Sequence, residues 1–103
     1  MKRRSADFEE GNNATAELAE AMVRLRTAAQ MQAFLEDLCT PAELEAMTDR
    51  WKVVPLLLEG VPYREIHERT LVSVTTIGRV ARTLDRGAGG YAAAIKRRAA
   101  RAG

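Results

Sequence analysis

Ile66, Val72, Ile77 and Val80 form the pattern that most narrows what this chain can fold into. Ile66 sits within Tyr63-Arg64-Glu65-Ile66-His67-Glu68-Arg69-Thr70, a segment of about two helical turns. Val72 falls in the short connection Leu71-Val72-Ser73, and Ile77 and Val80 lie one helical step apart between Val74 and about Leu84. Ser73 is placed to cap the second helix, which ends before the run Asp85-Arg86-Gly87-Ala88-Gly89-Gly90. Two short helices joined so tightly must turn their apolar residues toward each other. The opposite face of the second helix is then left with Ser73, Thr75, Thr76, Arg79 and Arg82.

The rest of the chain also carries helical periods and no strand-like alternation, so the expected fold class is all-α. Residues 1–13 mix charges with Gly11, Asn12 and Asn13 and are expected to form a flexible arm. Thr15 is then a cap for a helix from about Ala16 to Ala29, with Leu18, Met22, Leu25 and Ala29 on one face. Met31, Phe34, Leu35 and Leu38 mark a second helix over 31–38. Thr40-Pro41-Ala42-Glu43 has the form of a capping box with proline at the first helical position, so a third helix starts at Pro41. It runs past Leu44, Met47, Trp51, Val54 and Leu58 to Gly60, a residue suited to a left-handed stop. Pro55 cannot donate to the carbonyl of Trp51, which predicts a kink or a break there. Tyr91 to Ala102 is expected as a basic final helix. One domain over 14–103 accommodates all of this, because 103 residues are too few for two independent cores.

Charge divides the chain unevenly. Residues 1–50 carry six Lys and Arg against ten Asp and Glu, a balance of −4, whereas residues 51–103 carry ten against four, a balance of +6. The second half is where a polyanion would be met. The single cysteine, Cys39, forms no internal disulfide and reads as an inert buried thiol, in keeping with a cytoplasmic setting. No apolar run is long enough to span a membrane, and the basic start is followed by polar residues rather than the apolar core of a signal peptide.

Two helices and a turn over about twenty residues are the skeleton of a helix-turn-helix, whose second helix enters the DNA major groove. Hydroxyls and methyls on that helix touch base edges, and arginines reach guanine or phosphate. The DNA-facing candidates are Tyr63, Arg64 and His67 on the first helix and Ser73, Val74, Thr75, Thr76, Arg79 and Arg82 on the second. Two positions depart from the motif. Leu71 stands where the turn usually has glycine, so either leucine is strained there by about 1 kcal/mol or the turn takes another shape. His67 stands where a small residue normally lets the helices approach, and either substitution could widen the helix pair. Without nucleophile–base pair, metal constellation or phosphate loop, catalysis is not indicated.

Cys39-Thr40-Pro41-Ala42-Glu43-Leu44-Glu45-Ala46, Arg50, Leu-Leu-Glu-Gly at 57–60, Arg-Glu-Ile at 64–66 and Thr-Thr-Ile-Gly-Arg at 75–79 together resemble the Trp repressor superfamily. Tyr-Arg-Glu-Ile at 63–66, Arg-Val at 79–80 and Gly-Gly-Tyr at 89–91 are most similar to its YerC/YecD-type subgroup. The resemblance covers about Ala16 to Tyr91. It implies an intertwined homodimer whose two reading heads meet successive major grooves of a palindromic operator, acting as a repressor. It also implies a tryptophan-like corepressor held between Arg50 and Arg79, with Thr40, Thr76 and Thr83 completing the pocket. Val80 stands against that ligand, because the family has a small glycine there and a branched side chain fills space the indole needs. The alternative to a regulator is a dimeric helical interaction protein that has lost specific DNA binding through Leu71 and His67. Trp51 is expected in the core, and Lys96, Arg97, Arg98 and Arg101 as either a solvated tail or a source of sequence-independent DNA affinity.

Overall fold

The computed structural model describes residues 4–95, with side-chain environments from Asn13 onward. The chain divides into two compact units, Met1–Thr40 and Pro41–Gly103, where the sequence predicts one domain from residue 14. The described residues are helical or in connections between helices, in keeping with the all-α expectation.

The first unit contains α1 (Arg4–Val23) and α2 (Ala28–Leu38). Helix α1 differs from expectation at both ends: ten residues of the stretch expected as an arm are helical, Thr15 lies inside the helix, and the helix stops at Val23 rather than Ala29. Its exit is tightened by bonds from Arg24 N–H to Ala21 O (3.2 Å) and Leu25 N–H to Met22 O (3.1 Å). The break is set by a Thr27 cap the periodicity concealed. The Thr27 hydroxyl accepts from Gln30 N–H at 3.0 Å, and Gln30 Oε1 reaches back to accept from Arg26 N–H at 2.8 Å. Ala29 therefore opens α2 instead of closing α1. No described residue of this unit is buried: Leu18, Val23 and Leu38 are exposed, and Met31, Phe34 and Leu35 are half-buried.

The second unit contains α3 (Pro41–Leu58), α4 (Tyr63–Thr70) and α5 (Val74–Arg86), and residues 90–95 open a further helix, α6. The remainder of the expected final helix, with its basic cluster, lies outside the described residues. Helix α3 starts at Pro41 as expected, but it is not broken at Pro55. Proline removes one bond near the helix end, where few remain to be lost, and the chain is fixed just beyond it. Gly60 takes φ +81°, its N–H donates to Leu57 O at 3.0 Å, and Val61 N–H donates to Leu56 O at 3.1 Å. That pair of bonds closes a helix with a left-handed glycine. Leu56 and Val61 both pack on the core, so the stop also aims the chain into α4.

The core of this unit is Val53 and Val54 from α3, Ile66 from α4, Val72 from the turn, and Ile77 and Val80 from α5, each no more than 4% exposed. All four residues of the opening pattern are in it. Each contributes about 1.5–3 kcal/mol through its burial. Trp51, expected in the core, is instead 38% exposed on the flank of α3, where its ring stacks on Tyr91 of α6 with centroids 6.4 Å apart and planes at 28°. Cys39 is half-buried rather than buried. No described helix is long and apolar enough to cross a membrane.

Candidate nucleic-acid interface

Helices α4 and α5 meet through Leu71, Val72 and Ser73, at the boundaries the sequence predicts. Leu71 takes φ 65° and ψ 8°, with its N–H donating to His67 O at 2.7 Å. The left-handed turn is thus kept with leucine in place of glycine, and the leucine side chain is 81% exposed. It carries the strain without compensating burial. With His67 and Leu71 in place the core between the two helices is still closed: Ile66 and Ile77 are fully buried and Val80 nearly so. The His67 ring turns to the connection, where Nδ1 lies 2.8 Å from Val72 O. A carbonyl only accepts, so Nδ1 carries the proton. Thr70 acts on the same residue: its hydroxyl accepts from Val72 N–H at 3.1 Å while donating to Ile66 O at 2.7 Å.

Helix α5 begins at a side-chain cap. Ser73 Oγ accepts from Thr76 N–H at 3.1 Å and donates to Thr76 Oγ1 at 3.1 Å. Both hydroxyls, expected to face DNA, are engaged in holding the first turn. Beyond the cap the helix divides cleanly. Ile77 and Val80 enter the core, while Thr75, Arg79, Arg82 and Arg86 fall at i, i+4, i+7 and i+11 and line one open groove with Thr83 and Gly87. Among the described residues neither Arg79 nor Arg82 is ion-paired with a carboxylate, whereas Arg69 on α4 is tied to Glu65. Arg86 makes only a long, exposed contact of 3.7 Å to Asp85, a pair worth little in water.

Tyr63, at the start of α4, reaches this surface through Gly78. A Cβ on Gly78 would stand 3.9 Å from the Tyr63 ring and 3.6 Å from an Arg82 guanidinium nitrogen, ordinary contact distances, so both side chains lie beside one patch of α5. Val74 is about half exposed at the first position of α5, and Arg64 is exposed on α4. Arg86 and Gly78 were not evident as site residues from sequence. Arg86 was assigned to the connection after Leu84, though its i+4 spacing from Arg82 was the available signal.

The residues expected around a corepressor are described within each unit. Arg79 and Thr83 share the groove, with Thr83 Oγ1 donating to Arg79 O at 3.1 Å. Thr76 is engaged at the cap, Arg50 is half-buried on α3, and Thr40 belongs to the first unit. Val80 is 1% exposed, and its side chain is part of the core. Thr83 also borders a cavity of about 300 Å³ at the elbow between α5 and α6, lined otherwise by Leu84, Tyr91 and the small residues 88–90 and 92, none of them charged.

The family model for Trp repressor protein matches residues 13–99, which takes in α4, the turn and the whole of α5. The chain belongs to the Trp repressor family. This is a family of DNA-binding regulators, and within it the chain is similar to the uncharacterized protein YerC of Bacillus subtilis (strain 168), with 33% identity over 81 residues, 79% of this chain and 78% of that protein. The arginine face of α5 lies within the Trp repressor match, as does the strained turn before it.

Proposed function

We propose that the protein is a sequence-specific transcriptional regulator, a repressor that acts in the cytoplasm as a homodimer on a palindromic operator. The observation that carries the reading is the division of α5: Ile77 and Val80 anchor it, and Thr75, Arg79, Arg82 and Arg86 form the opposite stripe. A helix held from behind, with Arg79 and Arg82 not paired with acids among the described residues, is suited to the major groove. Val74 and Thr75, near the start of α5, supply methyl and hydroxyl contacts to base edges. Arg79 and Arg82 reach guanine or phosphate, and Tyr63 and Arg64 lie where the flanking backbone would pass. Ser73 and Thr76 serve by fixing the helix start rather than by touching bases.

The homodimer is supported by the first unit, which has helices but no buried residue among those described. A helix as short as α2 is marginal in water without a packed face, and a second copy covers Leu18, Val23, Met31, Phe34 and Leu38. Two reading heads related by two-fold symmetry then require half-sites about one helical turn apart, roughly 34 Å. Tryptophan is not assigned as corepressor, because Val80 would have to leave the core to admit an indole.

The test is binding to random-sequence duplex DNA across a range of salt. A regulator of this kind shifts the duplex at low salt and loses affinity steeply as salt rises. Absence of any shift would favour the interaction protein, a reading kept in view by the strained, exposed Leu71 at the tip of the turn.

A further inference from the structure

Val72 is the only turn residue that enters the core, and both of its backbone groups are held by side chains of α4. Its N–H donates to Thr70 Oγ1 at 3.1 Å, and its carbonyl accepts from His67 Nδ1 at 2.8 Å. Thr70 is itself anchored by donating to Ile66 O at 2.7 Å. The residue between α4 and Val72 is Leu71, with φ 65° and a side chain 81% exposed. A leucine in that conformation is disfavoured, and its own packing gives it little reason to stay there. The forces that keep the turn left-handed therefore come from the residues on either side of it.

We propose that His67 and Thr70 form a side-chain clamp on Val72 that holds the turn in its left-handed form despite Leu71, and so set the position of α5. His67 is on this account a positioning residue. A turn built on glycine takes this shape without help; a turn built on leucine relaxes toward negative φ unless the next residue is fixed. With its ring nitrogen on Val72 O, His67 supplies that restraint across five residues of chain. The consequence for DNA recognition rests on the reading of α5 as the DNA-facing helix, whereas the clamp itself does not.

Three measurements on the full-length protein test it. In the wild type, nitrogen NMR of the single histidine should show the neutral ring protonated at Nδ1; an Nε2-protonated ring would overturn the clamp, because Nδ1 could not then donate to the carbonyl. Amide exchange at Leu71 and Val72 should quicken about fivefold in His67→Ala, the scale of one lost hydrogen bond, and return toward wild type in His67→Asn, whose side-chain amide nitrogen can donate from nearly the same place. In a Leu71→Gly background, which removes the strain, His67→Ala should have a much smaller effect. An equal effect in both backgrounds, or no rescue by asparagine, would overturn the proposal. DNA affinity of the same variants should follow the exchange results. If the exchange and coupling results hold but no variant binds duplex DNA, the clamp stands and the regulator reading fails.

Discussion

Ser73 Oγ both accepts from the Thr76 N–H and donates to Thr76 Oγ1, each at 3.1 Å, so the first turn of α5 is closed by two hydroxyls that face solvent. Replacing Ser73 with alanine leaves Thr76 N–H without its cap. The expected loss is about 1 kcal/mol of stability, measured by urea unfolding at fixed protein concentration, since a dimer's midpoint depends on concentration.

Leu71 predicts a gain instead. Glycine at this position relieves a left-handed leucine whose side chain is 81% exposed, while adding freedom to the unfolded chain. The net effect of Leu71→Gly is a stabilisation of roughly 0.5–1 kcal/mol. A loss of similar size would mean that the exposed leucine is covered in the functional assembly.

Gly87 is required by close approach rather than by its φ of −80°. A Cβ there would stand 2.5 Å from Thr83 O and 2.8 Å from the Thr83 methyl, and Gly87 N–H donates to that same carbonyl at 2.7 Å. Gly87→Ala should fray the end of α5 at a cost of about 1 kcal/mol or more, seen as lower helicity by circular dichroism. Arg86, on the last turn, should lose order with it.

Arg79 and Arg82 should each carry DNA affinity without carrying fold stability, because both are exposed and neither is ion-paired among the described residues. Arg82→Ala should weaken binding by about 1–3 kcal/mol if it reads guanine, with relaxed preference at one base pair, and should lower the salt slope by about 1 if it holds phosphate. The urea midpoint should not move in either case.

Tryptophan at millimolar concentration should leave the melting temperature unchanged, since a ligand stabilises only by binding the native state. Val80 is packed in the core of α3, α4 and α5, where an indole in its place would displace buried side chains. A rise in melting temperature would contradict the exclusion of an indole by Val80.

The second half of the chain was far more legible than the first. Ile66, Val72, Ile77 and Val80 could be assigned to one core because a two-helix corner leaves few ways to bury four apolar residues, and the boundaries of α4 followed from Pro62 and the turn. Pro41 and Gly60 likewise mark the ends of α3 by local chemistry alone. In the first half, Leu18, Met22, Leu25 and Ala29 share a helical period, but the period runs straight through the Thr27 cap and so carries the expected first helix past its end at Val23 into the start of α2. Glycine and asparagine at 11–13 suggested a break, yet the surrounding alanines and glutamates keep α1 helical across them. The role of His67 is not legible because its size is visible in sequence while its partner, the carbonyl of Val72, is not. Trp51 was misplaced for a related reason: its stacking partner is Tyr91, forty residues away, and nothing local announces that pairing.

The central claim is that α5 presents Thr75, Arg79 and Arg82 to duplex DNA from each half of a symmetric dimer. Selection of bound fragments from a random duplex pool with the full-length protein tests it most directly. The expected result is enrichment of an inverted repeat with half-site centres about 10 base pairs apart, lost when Arg79 and Arg82 are both replaced by alanine. Recovery of no sequence above background at low salt, or of sites without two-fold symmetry, would contradict it.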